Sequence, residues 1–330
     1  MHVYRDEDAD LALVRGRAVA VIGYGNQGRA QALNLRDSGV CVTVALPESS
    51  ASRARASADG FDVMTAAEAS ARADVVVMLA ADEDQGRIYA EEIAPHLRQD
   101  AALVFAHGLN IRFRLIVPRP DLDVVLVAPK GPGTALRSEY EGGGGLIGLF
   151  AVERDATGNA EALALSYAAA IGSGRAGILR TTFAEECEAD LFNEQAVLWG
   201  AIPELIHAGF ETLVDAGFSP EIAYFECLTE VKLIADLIYE RGIAGMREAI
   251  SNTAEFGALK GGTRIVTADT RTEMRRILRE VRSGAFVQEL LDDAKAGYPR
   301  LRASRAKAAA HPIEAVRDGL EMLRKRPEVI

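Results

Sequence analysis

Two pairs of carboxylates are the residues in this chain best spaced to do chemistry. Asp190 and Glu194 stand four apart in DLFNEQAVLWGAIPEL, and Glu226 and Glu230 stand four apart in IAYFECLTEVKLIADL. On a helix, residues i and i+4 lie one above the other. The stripe through the first pair continues to Val197, Ala201 and Leu205, and that through the second includes Ile222, Leu233 and Leu237. Each pair is therefore expected to project from a face that packs inward. Like charges at that spacing repel, and burying them unpaired is costly. A hard divalent cation such as Mg²⁺ takes oxygen ligands and would compensate them. Four acids from two helices could hold two such ions about 3.5–4 Å apart. The alternative is two half-exposed faces whose acids are simply solvated. Glu185, Glu186 and Glu188 crowd the start of the first helix and read as first-turn acids facing the helix dipole.

A second chemistry is written in IGYGNQG. Gly23-x-Gly25-x-x-Gly28 follows an apolar run and opens a helical stretch, which is the setting of a dinucleotide-binding turn. The first glycine permits the tight turn, the second lets the backbone approach a pyrophosphate, and the third allows close helix–strand packing. The end of the next strand should select the cofactor, and it reads ALPESSASRAR. Glu48 could accept ribose hydroxyls, as in NAD enzymes, or stand as a solvated loop charge. Ser50, Ser52 and Arg53 or Arg55 could instead hold a 2′-phosphate. Two further polar residues fall at strand ends, His107 in VFAHGLNI and Lys130 in APKGPG. Ligands of open α/β sheets bind outside those ends. His107 could equally be structural. Lys130 is one of only six lysines against 31 arginines, so its use where any cation would serve hints at a specific task. In ISNTAEFG, Ser251 and Asn252 lie between helices, as a cap or as substrate contacts.

These groups need a scaffold, and the hydrophobic pattern supplies one. RAVAVI (17–22), VCVTVAL (40–46), ADVVVML (73–79), AALVFA (101–106), DVVLVA (123–128) and LIGLFAV (146–152) read as strands buried on both faces. Alternation with helical stretches implies an α/β fold with a doubly wound parallel sheet. After Thr182 helical periodicity takes over, in 184–217, 219–241, 268–283, 285–296 and 312–324. The expected domains are 1–182 for the dinucleotide and 183–330 as an all-helical unit. A net charge of −11 argues against nucleic acid as a partner. No apolar run is long enough to cross a bilayer, and the N-terminus lacks an apolar signal core. Three scattered cysteines with no CxxC pair fit neither a disulfide framework nor a zinc site, and match a cytoplasmic setting.

Together these segments resemble ketol-acid reductoisomerase, also called acetohydroxy-acid isomeroreductase. The matching stretches are VAVIGYGNQGRAQALNLRDSG, FAHGLNI, APKGPG, DLFNEQAVL, AGFETLVDAGFSPEIAYFECL, LIADLIYERGIAGM, ISNTAEFG and HPIE, in the family's order from residue 19 to 314. The resemblance implies a Rossmann-type domain followed by a knotted helical domain that intertwines in a homodimer or a larger homo-oligomer. It implies alkyl migration within a 2-acetohydroxy acid such as 2-acetolactate, then hydride reduction to a 2,3-dihydroxy acid, in branched-chain amino-acid biosynthesis or a paralogous pathway. Two Mg²⁺ ions would be held by Asp190 and Glu194 of one chain with Glu226 and Glu230 of the partner subunit. Ser251 matches a substrate contact, and His107 and Lys130 match polar residues of the site. Glu230 is the expected proton relay, Lys130 a stabiliser of developing oxyanions, and His107 a tuning group beside the nicotinamide. Tyr24, Asn26, Gln27, Ser50, Ser52, Asp82, Glu83, Asp84, Gln85 and Gly133 match cofactor positions, NADPH being the family's usual cofactor.

Several residues depart from the family pattern. Pro47 replaces an arginine in the cofactor loop and Glu48 would repel a 2′-phosphate, so NADH is a credible cofactor. Arg29, Thr134, Asn193, Trp199 and Thr229 replace a histidine, a histidine, a glycine, a small residue or cysteine, and a histidine respectively. Trp199 would narrow the pocket if it points inward, or join the helical core if it does not. Two other readings stay open: an NAD(P)-dependent hydroxy-acid dehydrogenase that does not isomerise, and a silent dinucleotide-binding paralogue.

Overall fold

The structure, a computed structural model, describes residues 2–324. Nine strands form one sheet: β1 (Val3–Tyr4), β2 (Ala18–Ile22), β3 (Cys41–Ala45), β4 (Asp62–Met64), β5 (Val75–Met78), β6 (Ala102–Phe105), β7 (Asp123–Pro129), β8 (Gly148–Arg154) and β9 (Ile178–Arg180). Their spatial order is β1-β9-β8-β7-β6-β5-β2-β3-β4. From β4 to β7 every neighbouring pair is parallel, and this is the Rossmann arrangement. Side chains alternate between the faces, as the pleat requires. Val19, Val21, Val75 and Val77 enter one buried core, which takes Leu35 from the helix Asn26–Asp37 and Tyr167 from Ala160–Ala170. Ala20, Ile22, Val76 and Met78 enter the other, with Ala69 from Ala66–Arg72 and Tyr89 from the helix continuing beyond Asp82–Ile88. Burial of each such Val, Leu or Ile contributes about 1.5–3 kcal/mol.

All six strands expected from the sequence are present, but the sheet is not wholly parallel. β7 and β8 run antiparallel, with Pro129 opposite Gly148, and β1 pairs antiparallel with β9. Apolar runs specify burial and carry no record of direction. After β7 the helix Gly133–Glu141 leaves the sheet and packs beside Asn26–Asp37, held by Arg137 donating to Asn34 Oδ1 at 2.9 Å. The glycines at 142–145 then turn the chain, and it re-enters the sheet at the end it left. The strands missed in the sequence, β1, β4 and β9, are two or three residues long, too short to show a period.

The described chain divides into two compact units, one through Ala189 and one from Asp190. The second contains helices and, among its described residues, no strand. The helices expected over 184–217 and 219–241 are not uniform. Phe183–Asn193 widens to i→i+5 hydrogen bonding over Glu194–Leu198 before Ala201–Asp215 resumes. Pro220–Tyr224 does the same over Phe225–Thr229 before Glu230–Ala249, which bends at Gly242. Wide turns of this kind are rare and concentrate at functional positions, and both fall on the paired acids. Two helices escaped the sequence reading, Asn252–Ile265 and Pro299–Ala309. The first carries three glycines and the second has no apolar stripe, so neither shows a hydrophobic period.

The β2–helix turn is where close packing is most demanding. Gly23 has φ of 102°, and a Cβ there would lie 2.6 Å from the Leu79 carbonyl oxygen after β5. A Cβ on Gly28 would run into the carbonyl oxygen of Gly23. Gly28→Ala is therefore expected to cost about 1–3 kcal/mol by overpacking and to lower Tm by roughly 2–10 °C. Differential scanning calorimetry checks this, and an unchanged Tm would show that the turn relaxes without cost.

Candidate active site

The sheet reverses its winding between β2 and β5, and the crevice outside their C-terminal ends is the expected ligand position. Gly23–Gly28 lies there, with Gly25 capping the helix that starts at Asn26. A Cβ placed on Gly25 meets nothing within 4 Å. That open space, facing the amides of a helix N-terminus, fits a pyrophosphate. Tyr24 turns its side chain inward and is buried, its hydroxyl donating to Asp59 Oδ2 at 2.8 Å. Arg29 grips the same carboxylate with two hydrogen bonds of 2.7 and 3.0 Å. These arginine bonds, outweighing burial and joined by the Tyr24 hydroxyl, hold Asp59 at about 2. Burial, and then Asp59, push the Tyr24 phenol up. Gln27 reaches across to the Gly131 carbonyl at 2.9 Å, next to Lys130 and close to Gly133, where the helix Gly133–Glu141 begins.

The selection loop follows β3. Glu48 is exposed, Ser50 is partly buried and Ser52 opens the helix Ser52–Ala58. Both arginines that could have met a 2′-phosphate have backbone partners. Arg53 donates to Leu46 and Val63 carbonyls at 2.7 and 3.2 Å, and Arg55 donates to the Tyr24 carbonyl at 3.0 Å. After β5, Asp82, Glu83, Asp84 and Gln85 start the helix Asp82–Ile88. The Gln85 side chain is turned in. It donates to the Ala80 carbonyl and Asp82 Oδ1 at 2.9 and 3.1 Å, and Asn110 fastens the turn by donating to the Asp82 carbonyl at 2.9 Å.

The residues after β6 and β7 converge on one carboxylate. His107 Nδ1 lies 3.2 Å from Glu186 Oε2, and Lys130 Nζ lies 3.4 Å from Glu186 Oε1. The Gly108 N–H donates to Glu186 Oε2 at 2.8 Å. Glu186, on the helix Phe183–Asn193, is 2 % exposed. Burial pushes its carboxyl up, but the His107 hydrogen bond and charge, Lys130 and the Gly108 amide together bring it below the ordinary value. Burial pushes His107 down, and its hydrogen bonds to Cys187 and Glu186, with the charges of Glu186 and Asp82, take it well above the ordinary value. The raised imidazole and the lowered carboxyl both favour the charged pair of His107 and Glu186. Glu186 lies in the first turn of its helix as expected, but its carboxylate is buried and paired rather than solvated. The helix packs its Phe183 ring against Phe105, with centroids 6.1 Å apart, and so buries that side of the helix. The signal available in the sequence was the four-residue step from Asp190 back to Glu186. Glu188 is also paired, to Arg112 Nη2 at 2.8 Å, whereas Glu185 keeps its expected place, its N–H donating to the Thr182 hydroxyl at 3.0 Å.

The paired acids behave differently from the first expectation. Within one chain, Asp190, Glu194, Glu226 and Glu230 do not gather into one ligand set among the described residues. Their faces do not pack inward either. Val197, Leu205, Ile222 and Leu233 are exposed. A helix pattern shows that a face is apolar, but not which molecule covers it. Ser251 caps Asn252–Ile265, its hydroxyl accepting from the Ala254 N–H at 3.2 Å, which leaves the hydroxyl hydrogen for another acceptor.

Comparison with known proteins fixes the family. Residues 13–177 match the acetohydroxy acid isomeroreductase NADPH-binding domain, and residues 183–326 match the ketol-acid reductoisomerase C-terminal domain. The chain belongs to the ketol-acid reductoisomerase family. A solved NADH-preferring ketol-acid reductoisomerase from an uncultured archean is 44 % identical over 99 % of this chain and 100 % of its own, with a TM-score of 0.95. A semialdehyde dehydrogenase NAD-binding protein from Cupriavidus necator is 20 % identical, covering 81 % of this chain and 99 % of its own with a TM-score of 0.60. A 1-pyrroline-5-carboxylate reductase from Streptococcus pyogenes is 15 % identical, covering 81 % and 98 % with a TM-score of 0.53. These last two share the fold alone. As a ketol-acid reductoisomerase, the chain is an NAD(P)H-dependent oxidoreductase with isomeroreductase activity in branched-chain amino-acid biosynthesis. None of its described helices is long and apolar enough to cross a membrane.

The Glu186 cluster has a measurable pH signature. Glu186→Gln removes the anion that His107 and Lys130 share, so kcat should fall by about 100-fold or more, the scale of one preorganised electrostatic contact. The folded-state value of His107 is raised, so its contribution to stability is complete below the ordinary 6.5 and lost as pH rises through the folded value. That of Glu186 is lowered, so its contribution is complete above the ordinary 4.5 and lost as pH falls through the folded value. The Tm advantage of the unmodified chain over Glu186→Gln should therefore be greatest between about pH 4.5 and 6.5 and shrink at higher pH. A pH-independent difference would rule out the ion pair.

Proposed function

We propose that the chain is an NADH-preferring, Mg²⁺-dependent reductoisomerase of a 2-acetohydroxy acid, 2-acetolactate or a relative, working as a homodimer. The cofactor preference is carried by one observation. On the loop after β3 both arginines donate to backbone carbonyls, and Glu48 is exposed beside Pro47. An acid there accepts the ribose hydroxyls of NADH and repels the 2′-phosphate of NADPH. The NADH preference named for the 44 % identical relative supports the same choice.

The donor set fits the ions. Asp190 and Glu194 are carboxylates one turn apart, and a second copy would complete the oxygen shell with the partner subunit's Glu226 and Glu230. Exposed apolar side chains on the acid-bearing helix and its neighbour support a second copy. Leu233 is 63 % and Tyr239 89 % exposed, and Ile243, Phe256 and Leu259 are exposed as well. An apolar surface of this kind marks an interface, and helices interlocked with those of a partner would cover it. When bound, the ions act as Lewis acids on the substrate oxygens and the dihydronicotinamide supplies hydride. The chain does the rest. The amides from Gly25 to Gln27 hold the pyrophosphate. Protonated Lys130 and His107, oriented by Glu186, stabilise negative charge developing on the substrate oxygens. Glu230 relays a proton during migration, and Ser251 donates to the substrate carboxylate.

Parallel assays with NADH and NADPH, 2-acetolactate and Mg²⁺ test this reading. We expect kcat/KM to favour NADH by about tenfold or more, equivalent to roughly 1.4 kcal/mol, and Glu48→Ser to narrow that ratio. Activity should vanish in chelator, and turnover that survives it would overturn the metal reading. Sedimentation equilibrium should give a dimer or larger assembly, and Glu226→Gln should lower kcat by about 100-fold or more without dissociating it. A monomeric active species would remove the shared site.

A further inference from the structure

A line of side-chain hydrogen bonds runs from a buried core to the turn that carries Lys130. Tyr167, on the helix Ala160–Ala170, donates its hydroxyl to Gln31 Oε1 at 2.7 Å. Gln31 Nε2 donates to Gln27 Oε1 at 3.1 Å, and Gln27 Nε2 donates to the Gly131 carbonyl at 2.9 Å. Gln27 and Gln31 are four apart on the helix Asn26–Asp37, so their amides lie one above the other on one face. The direction of the line is forced. The Gly131 carbonyl can only accept, so Gln27 presents its amino group there and its oxygen to Gln31. Gln31 then presents its own amino group to Gln27 and its oxygen to Tyr167. The phenol has to donate, and burial, which pushes its titration up, keeps the proton in place. Tyr167 and Gln31 are both 0 % exposed.

Buried amides are costly to desolvate, and an apolar pair of similar size would fill the same space at lower cost. A fully satisfied polar line instead fixes one arrangement. What it fixes here is the turn after β7. Lys130 leaves the strand with its N–H donating to the Ile147 carbonyl at 2.8 Å. Gly133 lies so close to the dinucleotide turn that a Cβ there would run into the Asn26 carbonyl oxygen. Gln27 pins the carbonyl between these two points, one residue after Lys130.

We propose that Gln31 and Tyr167 are positioning residues for Lys130. Their hydrogen bonds, passed through Gln27, hold the turn where Lys130 Nζ meets Glu186 Oε1 at 3.4 Å. This rests on the reading of Lys130 as a cation that stabilises developing oxyanions. Breaking the line leaves Gln27 free to swing and releases the Gly131 carbonyl, and a misplacement of about 1 Å at a reacting group costs on the order of 100-fold in rate.

A double-mutant cycle tests this, with kcat and KM measured for 2-acetolactate, NADH and Mg²⁺ in Gln31→Met, Lys130→Met and the double variant. Gln31→Met should lower kcat by about 10- to 100-fold. It should leave KM for 2-acetolactate near that of the unmodified enzyme, since ground-state contacts stay intact. In the Lys130→Met background the same change should alter kcat by less than about twofold, because its effect passes through the missing amine. Equal losses in both backgrounds overturn the proposal. A Lys130→Met enzyme as fast as the unmodified one overturns the reading of Lys130 and the proposal with it, and that result shows in the single variant alone. A second measurement needs neither turnover nor a folded Gln31→Met. Tyr167→Phe deletes one hydroxyl, and competitive acylation of the full chain, read by mass spectrometry, follows each of its six lysines separately. An amine drawn away from its carboxylate is more often neutral, so Lys130 should acylate faster relative to the other lysines in Tyr167→Phe, and faster still in Gln31→Met. Lys130 reactivity unchanged in Tyr167→Phe overturns the proposal.

Discussion

The buried carboxylate of Glu186 is the constraint on which the site depends. A charge removed from water is tolerable only when paired and hydrogen-bonded, and Glu186 has two cationic neighbours and a backbone amide within reach. Those partners come from the turns after two adjacent parallel strands, β6 and β7. Satisfying one anion thereby fixes where His107 and Lys130 sit. The helix delivers the anion because Phe183 and Cys187 are buried beside it. Packing thus sets the electrostatics, and the electrostatics set the chemistry.

The cofactor turn shows the same economy. Asp59 receives Tyr24 and Arg29 together, which braces the turn. The nearby arginines have a comparable bracing task. Arg53 and Arg55 tie the selection loop to neighbouring backbone carbonyls, while Glu48 is exposed.

The helical unit has a different balance. Its buried core is small, with Phe210, Ala223, Tyr224 and Ile313 at its centre, while many large apolar side chains along the acid-bearing helices are exposed. Helices gain most of their stability from packing an apolar face, so these faces call for a partner of the same chemistry. The widened turns at Glu194–Leu198 and Phe225–Thr229 redirect side chains around the acids without ending the helix.

The glycine turn, the six longer strands, the paired acids and the change from sheet to helix were all legible in the sequence, because each is a local period or a fixed spacing. The strand directions, the three short strands and the helices Asn252–Ile265 and Pro299–Ala309 were not, since direction leaves no periodic trace and these segments lack an apolar stripe. The site divides along the same line. Residue types and intervals marked Gly23, His107, Lys130, Asp190 and Glu226 as candidates. Only the tertiary structure decided that Glu186, an acid of the first helical turn, is buried and paired, that the arginines after β3 donate to backbone carbonyls, and that Trp199 lies outside its own core. Each of those outcomes depends on what lies across the fold from a residue. Burial and pairing are set by neighbours distant in sequence, and no local spacing records them.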